Sequence, residues 1–169
     1  NQPGLGSARY FPFGEFNSTA APRNHVFEVA KAPNVLVMDS HVMVEPESLR
    51  LLIEWYDNRP GTLDLYHGPP IYDDMNHTST HFQDEWRSEM WGTWGTDERY
   101  QYERKVEVST SESGEVSVEI HRTQCEPFEI PGMGLGLFTC QRDAWLGFNP
   151  DFRGFGGEEM YIHAKYRQL

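Results

Sequence analysis

The sequence predicts an α/β domain, and three observations support this prediction. Between residues 19 and 67 the pattern alternates helix, strand, helix, strand. The first predicted strand, Val35–Met38, is an unbroken apolar run, which is typical of a strand buried on both faces in a parallel sheet. The length of 169 residues fits a single domain. We therefore expect a mostly parallel central sheet flanked by helices.

The two helices of this alternating region have clear start and stop signals. Thr19 is placed to cap a helix over residues 19–31, and Pro33 ends it. Pro46 opens the second helix, in which four apolar residues follow the helical stripe, namely Leu49, Leu52, Ile53 and Tyr56. These signals predict two helices that each pack one face on the sheet.

The rest of the chain is predicted to add short elements around an insertion over residues 71–121. A second strand is expected at 63–67, and the glycine-rich stretch 132–138 leads into another. Within the insertion, 71–105 is predicted as a long loop of functional type with one short helix at 84–91. The alternation of Val and Ile over 106–120 predicts a hairpin, and a last helix is expected at 158–168.

Composition excludes several classes of partner. The chain has 14 Lys and Arg against 26 Asp and Glu, a formal net charge of −12, which disfavours binding to nucleic acid or to anionic membranes. The sequence has neither an apolar run of spanning length nor a recognisable signal peptide. A cytoplasmic location is favoured, with the secretory lumen left open. Cys125 and Cys140 are interpreted as free thiols, with one disulfide as the alternative.

Asp39 and His41 form the first candidate site. They follow the apolar strand directly, and ligands of open α/β sheets bind at the carboxyl edge of the strands. In an extended segment, residues two apart point the same way, so a carboxylate and an imidazole could share one divalent cation. The alternative is an ordinary polar strand end.

A second candidate site lies at the start of the last helix. Gly156 and Gly157 precede Glu158 and Glu159, and a carboxylate placed there could orient a sugar hydroxyl or accept its proton. The alternative is a glycine turn followed by acids that suit the helix dipole. The glycines of residues 132–136 do not match a phosphate loop, but they would let the backbone approach a sugar or nucleotide closely.

Taken in order, these segments resemble the later part of a GT-A fold glycosyltransferase of the family 2 kind. They are also similar to the polypeptide N-acetylgalactosaminyltransferases. The resemblance is carried by the run from Val35 to His41, by 131–138 and by 145–159, with the Ala-Pro-Arg-Asn segment at 21–24 as a fourth match. It covers roughly 21–169, except the insertion.

The resemblance implies specific roles on the donor side of the reaction. The family's Asp-x-His motif binds a divalent ion, Mn²⁺ or Mg²⁺, together with the donor diphosphate, and Asp39 and His41 match it. Arg23, Gly134 and Gly136 are implied to approach the nucleotide-sugar donor.

The same resemblance implies an acceptor side. The Gly-Gly-Glu segment faces the acceptor in that family, so Gly157 is implied to bind the acceptor and Glu158 or Glu159 to act on its hydroxyl. The acceptor would be a glycan or a protein hydroxyl.

Three departures from the family pattern qualify the resemblance. The nucleotide-binding strands that normally come first are missing, and so is the His expected beyond the last helix. His163 lies on that helix itself and is interpreted mainly as a surface residue. The acid pair is also Glu-Glu rather than Glu-Asp or Glu-Asn. We therefore expect residues 1–169 to be one partial catalytic domain, with further chain segments or subunits elsewhere.

The aromatic residues of the insertion give an expectation of their own. Trp91 and Trp94 could stack on the apolar faces of an acceptor sugar, or they could form a small core beneath the insertion. His77 and His81 are four residues apart, a metal-binding spacing only if the segment is helical.

The leading functional prediction is a metal-dependent transfer of a sugar from a nucleotide-sugar donor to a glycan or protein hydroxyl. The alternative is a carbohydrate-binding or scaffolding module that keeps the fold without turnover, and a small metallohydrolase is a weaker third hypothesis. The sequence leaves open the sugar, the nucleotide, the acceptor, the stereochemical outcome, a third metal ligand and the oligomeric state.

Overall fold

A computed structural model describes residues 8–13, 18–74, 77–88, 90–100, 105–110, 116–121 and 126–169. Within these ranges the chain is a mixed α/β structure. Its helices are α1 (Ala20–Val29), α2 (Pro46–Asp57) and α3 (Glu158–Tyr166), with a 3₁₀ turn at Arg142–Ala144. Its strands are β1 (Asn34–Met38), β2 (Tyr66–His67), β3 (His81–Arg87), β4 (Met90–Gly95), β5 (Lys105–Thr110), β6 (Val116–His121) and β7 (Leu137–Gln141). None of the described helices is long and apolar enough to cross a membrane.

The central sheet has three strands in the order β1-β7-β2. The last strand, β7, lies between the other two and is antiparallel to both, so β1 and β2 run in the same direction. The α/β class is thus confirmed in outline. Every pairing among the named strands is antiparallel. The described residues thus do not show the mostly parallel sheet, which stays a prediction.

Strand β1 is buried on one face only, so the prediction of a strand covered on both faces is wrong. Val35 and Val37 are buried, whereas Leu36 and Met38 are 38% and 49% exposed. The apolar run thus reflects one core face and one face that the described residues leave largely open.

Aromatic stacking joins α1 to the buried face of the sheet. The Phe27 ring stacks on Trp145 with centroids 4.2 Å apart, and both rings pack on Phe138 of β7. Leu135 and Ile162 complete this core with almost no exposed surface. Burial of this kind contributes about 1.5–3 kcal/mol per large side chain, so α1, β7 and α3 are tied into one unit.

Cys140 lies in the same core as a free, buried thiol, as expected. Burial raises the pKa of its thiol to about 11, so it is protonated and unreactive at neutral pH. Cys125 lies outside the described residues.

Helix α2 begins at Pro46 as predicted, but its stripe is only partly buried. Tyr56 is buried and its hydroxyl lies 3.0 Å from that of Thr139 on β7. Burial raises the pKa of the Tyr56 phenol to about 12, so this contact is between neutral groups. Leu49 and Ile53 are 39% and 61% exposed, so the stripe makes contact mainly at its C-terminal end.

The first half of the insertion is a hairpin rather than a loop with a helix. Strands β3 and β4 pair antiparallel, with Phe82 opposite Trp94 and Trp86 opposite Trp91. The prediction of a helix at 84–91 is therefore wrong. The Phe82 and Trp94 rings pack on each other across the two strands, a contact that stabilises a two-stranded ladder. The second half confirms the predicted hairpin, with β5 paired to β6.

The β3–β4 hairpin is fixed to the glycine-rich segment, which we define as residues 132–136. The amide of Phe82 donates to the carbonyl of Gly132 at 2.8 Å. The side chain of Trp94 packs over Gly134, where an added Cβ would lie 3.2 Å from the Trp94 ring. The insertion is thus held against the segment that leads into β7, beside the predicted site.

Candidate functional site

At the N-terminus of α1, the side-chain hydrogen bonds to the first amides come from Ser18 and not from Thr19, the N-cap residue. The Ser18 hydroxyl accepts from the amides of Ala20 and Ala21, at 3.2 and 3.4 Å. The Thr19 hydroxyl instead donates to the carboxylate of Glu158 at the start of α3, 139 residues further along the chain. Thr19 thus occupies the N-cap position as predicted, but its side chain makes no capping hydrogen bond and joins the two helix starts instead.

Arg23, one turn into α1, lies between two carboxylates. Its Nη2 is 3.2 Å from Oδ1 of Asp39, and its Nη1 is 3.5 Å from Oε1 of Glu158. Nη1 also donates to the Thr19 carbonyl at 3.4 Å, and Nη2 to the Leu135 carbonyl at 3.4 Å. The guanidinium is therefore held from several sides, with only 12% of the side chain exposed.

Asp39 follows β1, and its carboxylate has one oxygen on Arg23 and the other facing Gly136. A Cβ added at Gly136 would lie 3.5 Å from Oδ2 of Asp39. The backbone is fixed as well, because the Asp39 amide donates to the Gly136 carbonyl at 2.9 Å. With 36% of its side chain exposed, Asp39 is easier for a ligand to reach than Arg23 or Glu158, which are 12% and 4% exposed.

His41 does not continue the strand. The amide of Val42 donates to the Asp39 carbonyl at 3.0 Å, which closes a turn over residues 39–42 and leaves His41 exposed. The expectation that Asp39 and His41 point the same way assumed extended backbone, so that argument does not apply here. Their joint binding of a metal ion remains a prediction.

Glu158 and Glu159 lie in different surroundings. Glu158 is buried, with 3% exposed, and is engaged by Thr19 and Arg23. Glu159 is half-buried, and burial, reinforced by the charge of Glu158, raises the pKa of its carboxyl above the ordinary value. A carboxylate with a raised pKa is a better proton acceptor, which suits Glu159 to general-base chemistry.

Gly156 and Gly157 are required by backbone conformation. Their φ angles are +97° and +86°, in the left-handed region that favours glycine, and a Cβ on either would meet no atom within 4 Å. The turn thus aims the start of α3 at Thr19 and Arg23 while leaving open space above Gly157. The predicted acceptor position at Gly157 is exposed.

We define the guanidinium cluster as Thr19, Arg23, Asp39 and Glu158. An open groove beside it is lined on its polar side by Ser18 and members of the cluster, and on its apolar side by Pro22, Val26, Val37 and Met38. A cationic guanidinium next to a partly exposed carboxylate can contact phosphate oxygens and a metal ion respectively.

Comparison of the chain with protein-family models, with curated proteins and with solved structures found no match. The functional assignment therefore depends on the geometry of the cluster and on the motif resemblance.

The glycines of the glycine-rich segment accommodate side chains of this chain. Gly134 and Gly136 were expected to give a donor room, yet their nearest neighbours are the Trp94 ring and the Asp39 carboxylate. Trp94 is 47% exposed and packs on Phe82 with ring centroids 4.3 Å apart. Its outer face is thus available beside the site. Trp91 lies in β4, and its side chain is outside the described residues.

His163 is a buried residue, not the surface residue that was expected. Its Nδ1 lies against the carbonyl of Glu159, and its Nε2 is 3.0 Å from Nε2 of His67 on β2. A carbonyl only accepts, so Nδ1 of His163 carries the proton and Nε2 of His67 is the donor in the imidazole–imidazole hydrogen bond. Nδ1 of His67 then has no hydrogen-bond partner among the described residues.

Burial lowers the pKa of both imidazoles, and the charge of each ring's neighbour reinforces the effect. For His67 that neighbour is His163, and for His163 it is Arg167. The pair is therefore neutral at physiological pH.

Groups of three or more His, Cys, Asp and Glu side chains that could hold a metal are absent from the described part of the chain. His77 and His81 are not on a helix, because β3 starts at His81, so their four-residue spacing does not make a metal pair. Of the residues that line the groove, Asp39 has the carboxylate that suits Mn²⁺ or Mg²⁺. His41 is not one of the lining residues, and any ligands besides Asp39 would come from His41, the nucleotide, water or other parts of the chain.

Two side-chain contacts were not predicted from the sequence. Thr19 and Arg23 are four residues apart at a helix start, a spacing that places side chains on one face, and this signal could have linked them. The contact between His67 and His163 could not have been found, because it joins a strand and a helix 96 residues apart and neither residue lies in a motif.

Proposed function

We propose that the chain carries the site of a metal-dependent glycosyltransferase, which moves a sugar from a nucleotide-sugar donor to a hydroxyl of a glycan or protein. The observation that carries the proposal is the guanidinium cluster. It joins the Asp-x-His motif to the Gly-Gly-Glu motif, because Arg23 contacts both Asp39 and Glu158. Two motifs far apart in sequence share one guanidinium and so lie close together, which supports a donor site next to an acceptor site.

The donor side of the proposed reaction centres on Asp39. Asp39 and His41 would hold Mn²⁺ or Mg²⁺, and the ion would neutralise the nucleoside diphosphate as the sugar bond breaks. Arg23 would contact the same diphosphate, since a guanidinium binds phosphate oxygens in a bidentate way. The nucleotide-sugar donor would bind in the open groove beside the cluster.

The acceptor side centres on Glu159. Its carboxylate, with a raised pKa, would accept the proton of the attacking hydroxyl, while buried Glu158 would keep Arg23 in place. The exposed face of Trp94, beside the glycine-rich segment, would stack on an acceptor sugar.

The test measures nucleotide release from a panel of nucleotide sugars by the whole protein, with and without Mn²⁺. Asp39→Asn keeps the side-chain shape and removes the charge, and we expect it to lower the rate at least about 100-fold. Asp143→Asn is the matched control, since Asp143 is an exposed aspartate paired with Arg142 at 2.9 Å, and it should leave the rate unchanged. An Asp39→Asn variant with the wild-type rate would refute the proposal.

A carbohydrate-binding module without turnover is the second candidate, and the half-exposed Trp94 favours it. A glycan array discriminates the two functions. Binding to glycans that is lost in Trp94→Ala, together with no binding of any nucleotide in the presence of Mn²⁺, would support the module instead of the transferase.

A further inference from the structure

Thr19 contacts two other members of the guanidinium cluster, Arg23 and Glu158. Its hydroxyl donates to Glu158, its carbonyl accepts from Nη1 of Arg23 at 3.4 Å, and its amide donates to the Gly154 carbonyl at 3.4 Å. One residue thus touches the guanidinium, the buried carboxylate and the turn before α3.

The hydrogen bond from Thr19 to Glu158 affects how the charges of the cluster are paired. Arg23 contacts Glu158 through Nη1 and Asp39 through Nη2, so one guanidinium compensates two carboxylates. Glu158 has only 4% of its side chain exposed and cannot replace a lost partner with water, whereas Asp39 can, because 36% of its side chain is exposed. The Thr19 hydroxyl supplies one hydrogen bond to the Glu158 carboxylate. Arg23 therefore does not have to turn fully toward Glu158 and stays in contact with Asp39.

We propose that Thr19 is a positioning residue that keeps Arg23 shared between Glu158 and Asp39, and thereby sets the balance between metal binding and diphosphate binding at Asp39. The inference rests on the proposed function, because it takes Asp39 as the metal ligand. When the Thr19 hydroxyl is removed, Glu158 recruits the guanidinium as its replacement partner and Arg23 withdraws from Asp39.

Two opposite effects follow from this withdrawal. Arg23 and a divalent cation both bind the Asp39 carboxylate and repel each other, so the affinity for Mn²⁺ alone should rise. The diphosphate loses its guanidinium partner, so the affinity for a nucleoside diphosphate in saturating Mn²⁺ should fall. A residue that only stabilises the fold would lower both affinities together.

The experiment uses the whole protein and the variants Thr19→Val, which keeps the volume but not the hydroxyl, and Thr19→Ser, which restores the hydroxyl. Thr62→Val is the matched control, because the Thr62 hydroxyl also donates to a carboxylate, that of Asp64 at 2.7 Å, and contacts no member of the cluster. Mn²⁺ affinity is measured by electron paramagnetic resonance. Affinity for uridine diphosphate and for guanosine diphosphate is measured calorimetrically in saturating Mn²⁺.

For Thr19→Val we expect Mn²⁺ affinity to rise about threefold and diphosphate affinity to fall about threefold, the size expected for a partly exposed ion pair. Thr19→Ser and Thr62→Val should match wild type in both measurements. Equal losses of both affinities in Thr19→Val, or no change in either, would overturn the proposal.

A third measurement separates this inference from the proposed function. The side-chain ¹⁵N–¹H resonances of Arg23 in the metal-free protein report its partners without any ligand. They should shift in Thr19→Val and return in Thr19→Ser. If they do so while wild type binds neither Mn²⁺ nor diphosphate, the proposed function fails and the positioning of Arg23 stands. Unchanged resonances in Thr19→Val would refute the positioning whatever the protein binds.

Discussion

The guanidinium cluster and the pair of imidazoles solve the same problem, the burial of titratable groups, in opposite ways. In the cluster, two carboxylates are balanced by one guanidinium, so charge is kept and compensated. In the pair, His67 and His163 are both neutral and share a single hydrogen bond. Compensated charge can be redirected to a ligand, whereas a neutral pair holds two elements together and responds to pH.

The two regions are joined by the glycine-rich segment. Gly136 lies against Asp39 at one end, and Gly132 lies against His163 and Met160 at the other. The glycines at these two ends let the backbone approach both sites, while Met133 and Leu135 between them are buried. We therefore expect substitutions in either region to lower the free energy of unfolding, and to alter ligand binding at Asp39 through shifts of the glycine-rich segment.

Removing the compensating charge should have the largest effect. Arg23→Met leaves Glu158 buried beside an apolar side chain, and we expect it to cost about 3 kcal/mol of the free energy of unfolding. The double variant Arg23→Met/Glu158→Gln should recover most of that loss, because no unpaired buried charge remains. Urea unfolding of wild type, the single variant and the double variant measures the effect. If Arg23→Met were as stable as wild type, buried Glu158 would not need the charge of Arg23.

The imidazole pair should make the protein sensitive to mild acid. Folding lowers the pKa of both rings, so the unfolded chain binds more protons below the ordinary histidine pKa of about 6.5. Stability is then full above that pH and is lost as the pH falls, by about 1–2 kcal/mol between pH 6.5 and 5.5. Protonated His67 would find an acceptor in the backbone of Leu137, which offsets part of the cost.

Unfolding in urea at pH 7.5, 6.5 and 5.5 measures this dependence. The double variant His67→Phe/His163→Met should flatten it, whatever its absolute stability. His77→Gln is the control, because His77 has 77% of its side chain exposed, and it should keep the wild-type slope. An unchanged slope in the double variant would assign the acid sensitivity to other groups.

A substitution within the glycine-rich segment should have the smallest effect. In Gly134→Ala the new Cβ meets the Trp94 ring at 3.2 Å, so the half-exposed ring has to shift by a few tenths of an ångström. We expect a loss of no more than about 1 kcal/mol, together with a change in tryptophan fluorescence. Gly61→Ala offers a comparison at a glycine with φ +79° and open space, where strain alone acts. A fluorescence change of equal size in both variants would argue against contact with Trp94.

Local signals in the sequence predicted the elements, and long-range contacts decided the rest. Pro46 and the glycines at 156 and 157 located the starts of α2 and α3, because their effect is on the backbone next to them. The hairpin β3–β4 was missed because the Phe82 and Trp94 rings pack on each other across the strands, a pattern that a search for one helical face does not detect. The site motifs were visible as separate segments, but the role of Thr19 depends on a partner 139 residues away.

The most direct test of the proposed donor site is where Mn²⁺ binds in the presence of a nucleoside diphosphate. Paramagnetic broadening of backbone amide resonances reports which residues lie near the ion. We predict that Mn²⁺ with uridine or guanosine diphosphate broadens Asp39, His41 and Gly136 first, and that Asp39→Asn abolishes this pattern. Broadening centred elsewhere in the chain, or an unaltered pattern in Asp39→Asn, would contradict the assignment of the donor site to the guanidinium cluster.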